Sequence, residues 1–300
     1  MIPKPKSIKR VALVSNKHLD RNGAALIRTA VRFLKKRKIE VLYNKHVAKQ
    51  IKQRMTNDAK IMKKADFVIS FGGDGTLIKL ARHIEYKMIP ILAVNMGNVG
   101  FMSEIQRGKN MKEKLEVYLK KIIDSKKYRL DVRSMLRVTV YRDNEKIETF
   151  LALNEAVINQ GNFARLIELD ASIDQRKMVR FKADGMIVAT PTGSTGHSLS
   201  AGGPIVHPRL DALVFTPICP ATLSMCPIVI PSNRMLTVTI ETKRKYADND
   251  IGLTIDGQTI IKLQYGDKIK FRRSSRHFVL ARATNTKYYK ILRERLGWGD

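Results

Sequence analysis

Phe67-Val68-Ile69-Ser70-Phe71-Gly72-Gly73-Asp74-Gly75-Thr76-Leu77-Ile78-Lys79-Leu80-Ala81-Arg82 decides how this chain is read. A short apolar run meets a glycine-rich loop, and the loop opens into a helical pattern. Strand, tight turn and helix N-terminus follow in that order. Glycines let the backbone turn sharply and approach a pyrophosphate without side-chain obstruction, and the free amides of a helix start attract anionic oxygens. An isolated Gly-Asp-Gly reads better as an ordinary turn whose Asp or Thr caps a helix. The glycine pair ahead of Asp74 and the threonine after Gly75 favour the phosphate reading.

Outward from this loop, the first hundred residues alternate β-branched runs with amphipathic stretches, the pattern of β-α-β units in a mostly parallel sheet. Strands are expected at Val11 to Ser15, Ile39 to Tyr43, Phe67 to Phe71 and Ile89 to Val94, with a helix from Ala24 to Lys36. Leu115, Tyr118, Leu119, Ile122 and Ile123 recur at helical spacing between Met111 and Ile123. A domain boundary is placed in the basic connector Asp124 to Arg129 that follows. Beyond it the period falls towards two at Met135 to Tyr141, Ile167 to Ile173 and Leu236 to Ile240, which predicts antiparallel strands. Asn144-Glu145, Asn233 and Asp248-Asn249-Asp250 supply turn chemistry between runs, and Lys287 to Leu296 reads as a final helix.

The 300 residues carry 56 Lys and Arg against 27 Asp and Glu, a net charge of +29. Such a field attracts nucleotides, nucleic acid or anionic membranes without choosing among them. The basic residues are spread through several segments, among them Lys4 to Arg10, Lys109 to Lys127 and Lys243 to Lys245, as a solvated basic surface would be. Cys219 and Cys226 match no familiar metal pair and read as free thiols. The apolar stretch Val11-Ala12-Leu13-Val14 is too short for a signal peptide or membrane span, so a cytoplasmic protein is expected. His18, His46, His83, His207 and His277 form no metal-binding pattern, and any Mg2+ is expected to arrive with a nucleotide.

Asp74, fixed between glycines, is placed to take a proton from an attacking hydroxyl; a weak base suffices because phosphoryl transfer rests largely on positioning. Lys79 adds a positive charge one turn on. The longer Walker loop with its lysine and hydroxyl residue is absent, which argues against a P-loop NTPase.

Gly72 to Thr76 resembles the signature shared by NAD kinases, diacylglycerol and sphingosine kinases and, more distantly, phosphofructokinases. Further segments resemble NAD kinases specifically: Asn95-Met96-Gly97-Asn98-Val99-Gly100-Phe101-Met102, Leu153-Asn154-Glu155, Asp184 to Thr195, Ser198 to Ile205, Ile255-Asp256-Gly257-Gln258 and Leu296-Gly297-Trp298. Their order and spacing agree with that family over nearly the whole chain.

The resemblance implies a Rossmann-like α/β domain over 1–125, a β-rich, sandwich-like NAD-binding domain over 126–275, and a segment 276–300 returning to the first domain. NAD would lie in the crevice between domains, with ATP or a polyphosphate as donor and Mg2+ or another divalent ion on the nucleotide. Asp74 would act as base on the 2′-hydroxyl of the adenosine ribose. Gly72, Gly73, Gly75 and Thr76 would cradle phosphate or dinucleotide; Lys79 and Phe101 would contact NAD, the latter by packing on a base. Asn154 and Glu155 match a pair that hydrogen-bonds the dinucleotide. Arg165 and Lys182 match positions lining the site, and Asp184 a carboxylate that reaches NAD, sometimes from a neighbouring subunit. Thr195, Gly196, His197, Ser198, Leu199 and Ser200 would finish the pocket, with Gln258 beside it. After Thr195 the family usually continues Ala-Tyr, where this chain has Gly196-His197; a histidine replaces the aromatic face and hydroxyl of tyrosine only in part. A homodimer or homotetramer is implied, with no membrane and no specific nucleic acid as partner.

Two other readings share some of these features. A lipid kinase would use the same glycine-aspartate loop and a basic face on anionic membranes, and a nucleic-acid-binding protein would use the charge alone. Asn154-Glu155 and the block from Thr190 to Pro204 argue against the first, and the lack of any nucleic-acid-binding signature against the second.

Overall fold

The structure is a computed structural model that describes residues 7–17, 19–97, 100–161, 166–241, 250–284 and 288–299. Arg165, His18, Asn98-Val99, Lys243 to Lys245 and Asp248-Asn249 lie outside the described residues. The chain divides into two compact units, Met1–Val132 with Phe278–Asp300 and Arg133–His277.

The first unit is a parallel α/β sheet. It runs β1 (Arg10–Ser15), α1 (Arg21–Lys36), β2 (Glu40–Tyr43), α2 (Lys45–Ile51), α3 (Asp58–Lys64), β3 (Phe67–Phe71), α4 (Asp74–Ala81), β4 (Pro90–Val94) and α5 (Met111–Leu119). Strands are hydrogen-bonded in the order β2, β1, β3, β4, and β4 pairs in parallel with Val279 and Leu280 near the chain end. Every residue of β3 and β4 is buried, as continuous apolar runs covered on both faces must be.

Caps account for where the helices start. The Asp20 carboxylate accepts the Gly23 N–H at 2.7 Å, so α1 begins three residues ahead of the apolar pattern at Ala24. Asn44 is buried and works twice: its side-chain oxygen accepts the Val47 N–H at 3.1 Å, and its amide donates to the Ser15 carbonyl at 2.9 Å. That residue fastens the end of β1 to the start of α2. The apolar spacing of Met111 to Ile123 yields an α-helix only to Leu119, after which a single π turn carries Lys120–Asp124.

The second unit holds two antiparallel sheets. Its elements are β5 (Arg129–Arg142, which starts in the first unit), β6 (Glu145–Ala152), β7 (Glu155–Gln160), β8 (Ile167–Ile173), β9 (Arg176–Ala183), β10 (Gly185–Ala189), a short α6 (His197–Ser200), β11 (Ala212–Ile218), β12 (Ile228–Pro231), β13 (Leu236–Glu241), β14 (Ile251–Ile255), β15 (Thr259–Leu263) and β16 (Lys268–Arg282). One sheet is ordered β12-β11-β10-β7-β14-β15; in the other, β13 lies between β8 and the first residues of β16, and β9 pairs with β8. A single core joins their faces, with Leu136, Val138, Leu169, Val238 and Phe271 from one and Ile158, Met186, Phe215 and Leu253 from the other. That is the sandwich arrangement. β8 and β13 alternate buried and half-buried residues with period two. Two-residue hairpins at Asp143-Asn144 and Asp174-Gln175 hold positive φ at both positions, 49° and 64° in the first and 47° and 67° in the second, the turn that suits the right-handed strand twist. The last helix, α7, spans Tyr288–Leu296 and belongs to the first unit.

Candidate active site

In the first unit the buried β3 delivers the chain to Gly72 and Gly73, and Asp74 is the first residue of α4. Gly73 stands at the cap position with extended backbone and no side-chain cap, its carbonyl accepting the Thr76 N–H at 3.0 Å. Gly72 is confined: a Cβ there would run into Thr76 Oγ1. The Asp74 carboxylate accepts the Phe101 N–H at 2.7 Å through one oxygen and the Met102 N–H at 3.3 Å through the other. Gly100 makes this possible, since a Cβ on it would lie 2.8 Å from the Asp74 carboxyl carbon. Burial raises the Asp74 pKa above the ordinary carboxylate value, opposed by the two amide bonds and by the charges of Arg295 and Arg282.

The loop thus gathers Gly72, Gly73, Asp74, Gly75, Thr76 and Phe101. Lys79 is exposed a turn further on; burial and then its charge pull the His46 imidazole below its usual pKa. Arg282 is fully engaged, donating to Asp131 at 3.0 Å and to the Met102 carbonyl at 2.9 Å, beside Glu104.

In the second unit a network holds Asn154 and Glu155 at the start of β7. The Asp256 carboxylate accepts three backbone N–H groups, from Leu153 at 2.7 Å, Asn154 at 2.8 Å and Glu155 at 3.0 Å. Thr190 closes the other side: its N–H donates to the Asn154 carbonyl at 2.7 Å and its hydroxyl to the Leu153 carbonyl at 2.6 Å. Gly193 packs so tightly there that a Cβ would lie 2.6 Å from the Asn154 Cα. The side chains of Asn154 and Glu155 are positioned by backbone, not by their own bonds. Glu155 is 9% exposed, and burial, then the Asp256 charge, push its pKa up to about 7. Its Oε2 has no hydrogen-bond partner.

Gly196 adjoins this carboxylate, with a would-be Cβ 3.3 Å from Glu155 Oε2. From it α6 begins with His197 exposed and Ser198 buried, the Ser198 hydroxyl 2.9 Å from that of Thr216. Thr195 and Leu199 are half-buried, Ser200 exposed. Gln258 is exposed beyond the β14 turn, its N–H bonded to the Ile255 carbonyl at 3.0 Å.

Lys182 and Asp184 are not drawn into this group. Both are exposed: Lys182 lies on β9 opposite Glu168, and Asp184 just precedes β10, whose Gly185 pairs with Asn159 while Ala189 pairs with Glu155. Five residues of extended strand separate Asp184 from the Glu155 level, roughly 17 Å. Asp256 and Gly100 were not singled out from sequence, although both stand in quoted motifs. Their roles are contacts made across distant segments, which no local pattern displays.

Comparison with known proteins agrees with this arrangement. Residues 11–123 match the model of the ATP-NAD kinase N-terminal domain and residues 153–283 that of the ATP-NAD kinase C-terminal domain. The chain is 40% identical to the NAD kinase of Geotalea daltonii over 98% of this chain and all of that protein, and 37% identical to that of Geobacter sulfurreducens with the same coverage. Among solved structures it resembles yeast NADH kinase complexed with NADH, with a TM-score of 0.85 and 25% identity over 98% of this chain and 89% of that one. It also resembles an NAD kinase from Archaeoglobus fulgidus in complex with ATP, with a TM-score of 0.70 and 27% identity over 96% and 97%. The lipid-kinase and nucleic-acid readings find no support in these matches. With both domain models matched in order, and with full-length relatives of this similarity, the chain belongs to the NAD kinase family.

Proposed function

We propose that this enzyme, a kinase acting on NAD, transfers the γ-phosphoryl group of ATP to the 2′-hydroxyl of the adenosine ribose, with Asp74 as general base. The observation that carries the assignment is the Asp74 carboxylate itself, held by two backbone amides at the first position of a helix that follows a glycine pair. Asp74 accepts the hydroxyl proton as the ribose oxygen bonds to the γ-phosphorus. The bond from that phosphorus to the β–γ bridging oxygen breaks, and ADP leaves with the electron pair. A polyphosphate would present the same terminal group.

Asn154 and Glu155 offer an amide and a carboxyl to ribose hydroxyls and base edges. Among the described residues no three His, Cys, Asp or Glu side chains gather so as to hold a metal ion. A divalent ion would come bound to the triphosphate. The distance of Asp184 from Glu155 along β10 supports a homo-oligomer in which Asp184 serves a neighbouring copy. No described helix is long and apolar enough to cross a membrane.

The test is NADP formation from MgATP and NAD by the purified protein, with Asp74→Asn alongside. Asp74-dependent product supports the assignment; equal activity of the two proteins removes Asp74 from the chemistry.

A further inference from the structure

Around Asp74 the first unit leaves several polar atoms both buried and without a hydrogen-bond partner. Thr76 Oγ1 is one, on a residue 5% exposed and two positions past Asp74 on the same helix. Ser103 Oγ is another, on a residue 4% exposed that follows the Met102 whose amide holds the carboxylate. The third group is Arg295 on α7, where both Nε and Nη1 are buried and unpartnered. A buried donor left unpaired is costly and a buried unpaired guanidinium more so, so such groups mark a place where something else supplies the acceptors.

Arg295 and Asp74 lie close enough for their charges to act on each other. Asp74 nevertheless does not satisfy the arginine: its oxygens accept the Phe101 and Met102 amides, while Arg295 Nε and Nη1 have no hydrogen-bond partner. Arg282, the other cation acting on Asp74, is tied to Asp131, Glu104 and the Met102 carbonyl and has its work already. The remaining carboxylate on α7, Glu294, pairs with Lys290 at 3.6 Å on the exposed face. Arg295 thus keeps two buried donors without a partner close to the Asp74 carboxylate at the start of α4.

We infer that Arg295 binds the terminal phosphate of the donor, its guanidinium fork gripping two phosphate oxygens while Thr76 and Ser103 offer hydroxyls to the same group. An anion is the ligand that suits a planar fork with buried, unpartnered donors close to a helix N-terminus and to two buried, unpartnered hydroxyls. This rests on the phosphoryl-transfer reading above. A single charge would then serve twice, drawing the γ-phosphate into place and opposing the burial that raises the Asp74 pKa.

The test measures binding apart from turnover, by calorimetric titration of the NAD-free protein with ATP, AMP and tripolyphosphate, and separately with NAD. Loss of a charge-assisted bidentate contact predicts that Arg295→Gln weakens ATP and tripolyphosphate by about 10- to 100-fold while AMP and NAD change little. Arg293→Gln, an exposed neighbour on the same helix, is expected to bind all four as the wild type does. Should the glutamine variant not fold, Arg295→Lys keeps a positive charge and loses the fork, and weakening of ATP but not of AMP is expected. Wild-type affinity for ATP and tripolyphosphate in a folded Arg295 variant overturns the inference, as does an equal loss for AMP and NAD. If the wild type binds ATP yet makes no NADP, the proposed function fails while the Arg295 site is still decided by the titration.

Discussion

Glu155 and Asp256 face one another as two buried carboxylates with opposite provision. Asp256 accepts three backbone N–H groups, whereas Glu155 Oε2 accepts none and titrates near 7. A folded-state pKa above the unfolded value means that the native state holds the proton longer, so stability is greatest below the unfolded pKa of about 4.5 and falls as pH rises to about 7. The loss across that window is on the order of 3 kcal/mol. Urea unfolding at pH 5 and pH 8 should show it, and Glu155→Gln should flatten the difference. A wild type whose stability rises across the same window contradicts the assignment.

Asp256→Ala removes the acceptor of three N–H groups in a buried turn, leaving donors that water reaches poorly. A cost of roughly 2–4 kcal/mol is expected, with the affinity for NAD lowered because Asn154 and Glu155 lose their backbone anchor. Thermal unfolding together with NAD titration checks this. Unchanged stability would mean that the turn is held by other contacts.

Gly100→Ala places a methyl group against the Asp74 carboxylate. The carboxylate must move or the segment carrying Phe101 must, and either displaces the proton acceptor. Turnover should fall at least ~10-fold, since misplacement of about 1 Å is costly to catalysis, while NAD affinity changes far less. Steady-state kinetics with separate kcat and KM for each substrate distinguishes this from general misfolding.

Asp74→Asn should bind both substrates and lose about 10²- to 10⁴-fold in kcat, the usual contribution of a positioned base. Because burial raises the Asp74 pKa against the pull of the Phe101 and Met102 amides, Arg295 and Arg282, the wild-type rate should fall on its acid side at a pH above the ordinary carboxylate value. Removing Arg295 should move that limb further up. A rate that is flat down to the ordinary carboxylate range argues for another base.

His197→Tyr supplies an aromatic face and hydroxyl at the exposed start of α6. A gain of about 3- to 10-fold in NAD affinity is expected if the base or nicotinamide stacks there, from about 0.5–1.5 kcal/mol of aromatic contact. Titration with NAD and NADH reads it, and no gain places the dinucleotide elsewhere.

The loop after β3 could be read from sequence because its signals are local: an apolar run, glycines and a helical pattern lie within sixteen residues. The period-two strands β8 and β13 were legible for the same reason. α2 and α3 were not foreseen, since seven residues carry too little periodicity and the caps at Asn44 and Asn57 give the only start signal. Helical spacing through Ile123 concealed the π turn, which preserves nearly the same apolar face. What fastens Glu155 was hidden altogether: Asp256 lies about a hundred positions away and its motif shows only a turn. Arg295 was likewise one basic residue among many, and only its unpaired buried nitrogens set it apart.

The first unit is built from the two ends of the chain, and this orders its assembly in time. On a ribosome, β4 emerges long before Val279 and Leu280, so one edge of the parallel sheet waits unpaired while the whole second unit is synthesised. Arg295 comes later still. A nascent or truncated chain ending short of α7 would carry the glycine loop and Asp74 yet lack the Arg295 charge that acts on them, so the loop is completed only once α7 has been made.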